Sequence, residues 1–222
     1  MKHHMHLQKS PFQRIKEGTK KYEIRLNDKK RQQLHVGDLI QFQYENESLT
    51  VEVLALEKYK DVQELAKGIS KLDMGINDKE SLQEIIYTFY SKEQIKKEGI
   101  LTIEIKIITL NDLEKILKKS WSKETCHIPL QEKWTTNKPE LGQCAVTVLV
   151  IHDYFDGEIA HDIHNKHYWN IINGKNIDIT RNQFPKETIF NIDEIVSRES
   201  LFSEKSKTQE RYQTLLENIK NQ

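Results

Sequence analysis

The residues best suited to nucleophilic chemistry lie in the C-terminal half of the chain. Cys144 precedes the apolar run AVTVLV, which predicts that its thiol lies at the start of a buried helix. A helix N-terminus and a nearby imidazolium both stabilise a thiolate, the nucleophilic form of cysteine. Gln143 and the backbone N–H of Cys144 are candidate oxyanion donors. The alternative is that Cys144 is a small core residue.

A hairpin is expected to bring His167 and Asp178 together. The sequence HYWNIINGKNIDIT contains Asn173-Gly174 between two extended runs, which predicts a type I′ turn because both turn positions require positive φ. That register makes His167 and Asp178 diagonal neighbours on one face, roughly 7–8 Å apart at the backbone. The histidine could then protonate a leaving group while the carboxylate orients its ring.

A zinc site is the competing hypothesis for this region, because His161, His164 and His167 are spaced by three. This spacing does not match a closed structural site, so the sequence predicts neither a metal nor a cofactor. Cys126 is expected to be buried or inert. Two cysteines in 222 residues favour free thiols in a reducing cytoplasm over a disulfide.

Composition excludes a strong global attraction to nucleic acid or membrane. The chain has 34 basic and 34 acidic residues, so its formal net charge is zero and any such affinity must come from a local patch. No apolar run approaches the 18 or so residues of a membrane span, and MKHHMHLQKS lacks the apolar segment of a signal peptide. We therefore expect a cytoplasmic protein without a membrane partner.

The pattern of the chain restarts near Leu110, which predicts two α+β domains over residues 1–110 and 111–222. VGDLIQFQY, LTVEVLALEKY and ILTIEIKIITL read as strands in the first half, with a charged helical stretch before the last of them. In the second half, Asn111 or Asp112 is expected to cap the helix NDLEKILKKSW. The chain ends in the polar helical segment SEKSKTQERYQTLLENIKNQ.

The second half resembles the YunG-like family of small bacterial proteins. The resemblance runs from Trp121 to Phe184, through WSKETC, Trp134, NKPELGQCAVTVLVIHDYFDGEI, HYWN and IDITRNQF. The order of cysteine, histidine and aspartate also resembles the papain-like and transglutaminase-like enzymes. Those resemblances imply a papain-like α+β fold with a Cys144–His167–Asp178 triad, a cysteine hydrolase or acyl-transfer site for an unidentified acyl or peptide substrate.

The first 31 residues form a basic segment, with ten Lys or Arg against three acids. Such a patch favours phosphate, although a solvated surface is the simpler interpretation. Within it, GTKKYEIR matches the G-x-K-x-x-E-x-R signature of the ASCH domain, a PUA-like mixed β-barrel with flanking helices. This resemblance covers about residues 1–110 and implies an RNA or nucleotide partner, with candidate binding residues Lys20, Lys21, Glu23 and Arg25.

Some relatives of that family hydrolyse acetylated cytidine with a lysine, a threonine and a glutamate. Here Lys20 aligns with the lysine, but Glu23 replaces the threonine, and an acidic partner favours a charged, poorly nucleophilic lysine. In a regular strand these two side chains would also face opposite ways, so a bulge or turn is required.

Three functions follow from the sequence. The first is an RNA- or nucleotide-binding module fused to a cysteine enzyme. The second is a non-catalytic RNA-binding or regulatory protein with a degenerate papain-like half. The third is an ASCH-type ribonuclease or nucleoside amidohydrolase.

Overall fold

The computed structural model describes residues 1–222, which divide into two compact units, Met1–Ile108 and Thr109–Gln222. Both units combine helices with a β-sheet, so the predicted α+β class is confirmed. None of the helices is both long and apolar enough to span a lipid bilayer.

The N-terminal unit is a five-stranded mixed sheet that curls into a half-barrel. Its strands run in the order β1-β3-β4-β5-β2, and only the β1–β3 pair is parallel. The elements in chain order are β1 Lys2–His6, α1 Lys9–Lys16, β2 Tyr22–Leu26, β3 Leu39–Tyr44, β4 Glu47–Tyr59, α2 Val62–Gly68, α3 Leu82–Phe89, α4 Lys92–Glu98 and β5 Ile100–Ile107.

Two apolar clusters hold this unit together. One packs α1 against the sheet through Phe12, Ile40 and Phe42, all fully buried. The other packs α2, α3 and α4 around Leu65 and Ile100. The charged middle segment is thus three short helices, because Ser81 and Ser91 each begin a new helix by accepting a backbone hydrogen bond.

The C-terminal unit is a four-stranded antiparallel sheet in the order β8-β7-β6-β9, with helix α6 packed against β7. Its elements are α5 Leu110–Ser120, α6 Cys144–Phe155, β6 Glu158–Asp162, β7 His167–Ile172, β8 Lys175–Ile177, β9 Glu194–Val196 and α7 Thr208–Lys220. Helix α6 buries residues on nearly every side, since Val146, Leu149 and Val150 are all inaccessible.

The predicted cap of α5 is wrong by two or three residues. Thr109 is the cap, and neither Asn111 nor Asp112 takes that position. The Thr109 hydroxyl accepts from the Asp112 backbone N–H while the Asp112 carboxylate accepts from the Thr109 N–H. This reciprocal capping box satisfies two exposed helix-end donors at once, which a cap at Asn111 would not do.

Candidate functional site

Cys144 is the first residue of α6, and its partly exposed thiol is free. The chain reaches it through Gly142 at φ +69° and Gln143 at φ −94°. The backbone N–H groups of a first helical turn have no acceptor within the helix, so they are available to a developing negative charge. Cys126, in contrast, is completely buried, and burial raises the pKa of its thiol to about 11.

The predicted hairpin joins β7 to β8. Asn173 and Gly174 have φ of +50° and +72°, as a type I′ turn requires. Ile172 pairs with Lys175, and the ladder continues to the pair of Asn170 with Ile177.

This register brings His167 and Asp178 into contact. His167 Nε2 lies 2.7 Å from Asp178 Oδ2, and the His167 side chain is fully buried. The other carboxylate oxygen accepts hydrogen bonds from the backbone and hydroxyl of Thr180, at 3.1 and 3.2 Å. The ring is therefore fixed, and its second nitrogen, Nδ1, has no completed hydrogen bond.

Cys144 is the other group that acts on the His167 ring. Burial lowers the pKa of His167, but the hydrogen bond to Asp178 and the interaction with the Cys144 sulfur outweigh it and raise that pKa to about 9. The structure therefore brings Cys144, His167 and Asp178 into one cluster. The raised pKa means that the fold favours the protonated form of the His167 imidazole.

Aromatic rings surround the imidazole of His167. The rings of Phe184 and Phe190 each have their centroid 4.7 Å from it, and that of Trp169 is 5.9 Å away. Because these rings exclude water from most of the histidine, its electrostatic interactions with Cys144 and Asp178 are stronger than they would be in solvent.

Gln143 lies beside this cluster, but the preceding loop holds its side chain. Its Nε2 donates to the carbonyl of Ser122 at 2.9 Å, and its buried Oε1 has no partner. An oxyanion role for Gln143 stays a prediction, and the backbone N–H of Cys144 is the donor that the helix geometry leaves available.

Asp162 supports the site and was missed in the sequence. Its buried carboxylate accepts from Asn165 and from the backbone N–H of Asn191, and these hydrogen bonds outweigh its burial and lower its pKa to about 2. Asp162 pairs with His167 in the β6–β7 register, so it fixes the two loops next to the histidine. The sequence signal for this role was the spacing of Asp162 and Asn165, which is typical of a turn closed by a hydrogen bond to an aspartate side chain.

The three histidines of the zinc hypothesis do not converge. His161 lies in β6 and contacts Glu194 at 2.7 Å, His164 lies in the following turn, and His167 binds Asp178. The chain contains no cluster of three or more His, Cys, Asp or Glu side chains placed to hold a metal ion.

Gly142 provides a direct test of the approach to Cys144. A Cβ at this position would lie 2.7 Å from Cys126 Sγ, and the positive φ disfavours any L side chain. We expect Gly142→Ala to lower the free energy of unfolding by about 2–3 kcal/mol or more, from backbone strain plus overpacking. Tryptophan fluorescence during denaturant unfolding measures this unit alone, since Trp121, Trp134 and Trp169 all lie in it.

The matched control is Gly174→Ala. Gly174 also has positive φ, but nothing lies within 4 Å of its Cβ position, so this variant has backbone strain without a clash. Equal losses in the two variants would contradict close packing against Cys126.

The contribution of His167 to the stability of the C-terminal unit should fall as the pH rises. The pKa of His167 in the folded state, about 9, exceeds the unfolded value of about 6.5. Protonation therefore stabilises the fold fully below pH 6.5, and this contribution, up to roughly 3 kcal/mol, is lost as the pH passes 9. Unfolding midpoints between pH 6 and 10 measure it, and Asp178→Asn should flatten the profile. An equally steep profile in that variant would contradict the assignment.

Three of the four predicted residues of the N-terminal unit line a cavity of about 610 Å³. Lys20, Glu23 and Arg25 line it, whereas Lys21 lies outside and pairs with Asp73 at 2.9 Å. Further charged and apolar side chains complete the wall, namely Arg14, Glu80, Ile24, Ile76, Ile85, Ile86, Phe89 and Tyr90.

Lys20 and Glu23 do face each other, because β2 begins only at Tyr22 and Lys20 precedes it in an isolated bridge to Met74. Glu23 Oε2 is 3.4 Å from Lys20 Nζ, and its Oε1 is 2.9 Å from Arg25 Nε. Burial lowers the pKa of Lys20 despite the opposing effect of Glu23. Glu23 thus favours the charged form of Lys20, as predicted, but burial acts in the opposite direction and is the larger effect.

Acids from later in the chain pair with some side chains of the basic segment. Arg14 pairs with Glu80, and Lys16 pairs with Glu47. The excess of positive charge counted over residues 1–31 therefore overstates the charge of the folded surface.

Comparison with known families assigns both halves of the chain. The family model of the YunG protein matches residues 109–222, which is half of the chain, and that of the ASCH domain matches residues 5–109. The chain belongs to the YunG family. Its N-terminal half is an ASCH domain, so both resemblances seen in the sequence are confirmed.

One relative and two solved structures illustrate these similarities. The uncharacterized protein YunG of Bacillus subtilis (strain 168) is 44% identical over 71 residues, which are 31% of this chain and 57% of that protein. The crystal structure of hypothetical protein PH0355 is 34% identical, with a TM-score of 0.44 over 49% of this chain and all of its own. The solution structure of PF0455 from Pyrococcus furiosus is 32% identical, with a TM-score of 0.40 over 49% of this chain and 98% of its own.

Proposed function

We propose that the YunG domain of this protein is a cysteine hydrolase or acyltransferase with the triad Cys144, His167 and Asp178. The observation that carries the proposal is the orientation of His167. Its Nε2 is committed to Asp178, while Nδ1 has no completed hydrogen bond and Cys144 raises the pKa of the ring. A histidine held in this way can exchange a proton with a thiol and a leaving group.

The reaction would proceed through a thioester. The Cys144 thiolate attacks a carbonyl carbon, and the backbone N–H of Cys144 donates to the oxyanion. The imidazolium of His167 gives its Nδ1 proton to the leaving amine or alcohol, whose bond to the carbonyl breaks. Water or another acceptor then gives a proton back to His167 as it attacks the thioester, which regenerates the thiolate.

Covalent capture tests this proposal. The protein is incubated with p-nitrophenyl acetate, and the acyl group is located by peptide-resolved mass spectrometry. We expect acetylation of Cys144 that turns over, and none of Cys126, which is buried. An unmodified Cys144 in the folded protein would favour the non-catalytic alternative.

For the ASCH domain, we propose binding of RNA or a nucleotide in the cavity beside Lys20. Cationic groups at one wall suit phosphate, and the apolar wall with Phe89 and Tyr90 suits a base. A nucleoside amidohydrolase is the second candidate, because Lys20 is buried in the cavity wall and burial lowers its pKa, which favours the nucleophilic form of the amine, whereas Glu23 at 3.4 Å favours the charged form.

Lys20→Ala should weaken binding of a short single-stranded RNA or a nucleoside monophosphate by about tenfold, and the remaining binding should depend less on salt. Fluorescence titration at several salt concentrations measures both effects. Lys21→Ala is the matched control, because it removes the same charge one residue away but outside the cavity. Equal effects of the two variants, or binding insensitive to salt, would contradict the cavity as the site.

A further inference from the structure

Arg211 of α7 is a buried cation without an acidic partner. Only 3% of this residue is exposed, and the charges that act on its guanidinium are those of Cys144 and Cys126, with no carboxylate among them. It donates instead to three backbone carbonyls, those of Thr125, Gly142 and Ser206, at 3.1, 3.2 and 3.3 Å. Because carbonyl dipoles do not neutralise a full charge, a buried guanidinium of this kind favours a nearby anion.

The hydrogen bonds of Arg211 lead directly to the active-site loop. Gly142 stands two residues before Cys144, and Thr125 precedes Cys126. The Arg211 guanidinium therefore hydrogen-bonds to both loop segments, the one at Thr125 and the one at Gly142. These segments also approach each other directly, because the Gly142 backbone lies close to Cys126 Sγ.

The two thiols are the groups whose ionisation acts on Arg211. Burial lowers the pKa of Arg211, and negative charge on Cys144 or Cys126 opposes that effect. Arg211 in turn lowers the pKa of His127, whose burial acts in the same direction. Cys126 is ionised only at high pH because burial raises its pKa to about 11. Cys144, which is partly exposed, is the other thiol whose charge acts on Arg211.

We infer that Arg211 is a positioning residue for the Cys144 nucleophile: it fixes the Gly142 carbonyl, and its buried positive charge stabilises the Cys144 thiolate together with His167. This inference rests on the proposed cysteine chemistry. The proton of the thiol passes to His167 Nδ1, and Arg211 stays protonated throughout. Of the groups that face Cys144, His167 comes from β7, Arg211 from α7 and Cys126 from the loop before α6; Tyr168 of β7 also senses its charge.

The test is the rate of Cys144 alkylation by iodoacetamide between pH 5.5 and 9.5, read by peptide-resolved mass spectrometry. In Arg211→Met we expect the midpoint of the profile to rise by at least half a pH unit and the rate at pH 6.5 to fall at least threefold. Arg211→Lys keeps the positive charge but not the planar guanidinium with its several donors. Its midpoint should stay within half a pH unit of that of the unmodified protein. Tryptophan fluorescence identifies variants that remain folded.

Arg198→Met is the matched control, because Arg198 is a guanidinium of the same unit whose charge Asp153 neutralises at 2.8 Å. Its profile should be unchanged. A folded Arg211→Met with an unchanged midpoint would overturn the inference and leave the triad intact. If Arg211→Met does not fold, Arg211→Gln replaces it, since this variant keeps hydrogen-bond donors but removes the charge, and an unchanged midpoint in it would overturn the inference. A free-thiol midpoint in the unmodified protein would instead refute the proposed function itself.

Discussion

Replacing Asp178 with asparagine should slow acyl transfer at Cys144 by about two to four orders of magnitude, with little loss of folding stability at high pH. The carboxylate accepts from His167 Nε2 at 2.7 Å, so it both orients the ring and stabilises its protonated form. Asparagine retains the shape but not the charge, so His167 becomes a weaker partner for the thiolate. The measurement is the rate of p-nitrophenol release together with the acyl adduct at Cys144.

Glu194→Gln is the matched control for this prediction. Glu194 contacts His161 at 2.7 Å in the same sheet, so it is a second histidine–carboxylate pair. The change should leave the rate of acyl transfer within about twofold, because His161 has no thiol beside it. Equal losses in Asp178→Asn and Glu194→Gln would show that the rate follows general sheet stability and not the triad.

Replacing Glu23 with glutamine should destabilise the ASCH domain by about 3–5 kcal/mol. Glu23 is 5% exposed and is the shared anion of Lys20 and Arg25. Without it, the Lys20 side chain is a buried amine that must either remain charged without a counter-ion or lose its proton. Hydrogen exchange of peptides that cover β2 and β5 measures the stability of this domain separately from that of the YunG domain.

Lys20→Met is the informative comparison. It removes one cation but leaves Glu23 paired with Arg25, so we expect a loss of about 1 kcal/mol or less. The difference between the two losses of stability shows whether Glu23 is the group that both cations share. A larger loss in Lys20→Met than in Glu23→Gln would contradict the central position of Glu23.

The hairpin of the YunG domain illustrates what the sequence could predict. The Asn173-Gly174 turn has a strong local preference, and the register that follows from it placed His167 and Asp178 on one face. The contact at 2.7 Å needed only side-chain reach in addition. Local turn chemistry was therefore sufficient for half of the candidate site.

The ends of helices were harder to predict because several residues compete to cap them. Asn111, Asp112 and Thr109 are all good caps, and only the reciprocal hydrogen bonds of Thr109 with Asp112 distinguish them. The pairing of Lys20 with Glu23 depended in the same way on β2 beginning at Tyr22, a boundary that periodicity does not fix.

Contacts between distant segments were not accessible from the sequence. Arg211 lies 69 residues after Gly142, whose carbonyl it holds, and α7 reads as an ordinary polar helix. The pairing of side chains of the basic segment with Glu47 and Glu80 is likewise a tertiary effect. Burial decides both cases, and a single sequence gives no direct measure of burial for a charged residue.

The central claim is that Cys144 and His167 form a thiolate–imidazolium pair, and the rate of Cys144 alkylation against pH tests it most directly. The account predicts a midpoint well below the free-thiol value of about 8.5, and a rise toward that value in a folded His167→Ala variant. The buried Cys126 serves as the slow internal reference. A slow rate with an ordinary midpoint, unchanged in His167→Ala, would contradict the account and make Cys144 a core residue.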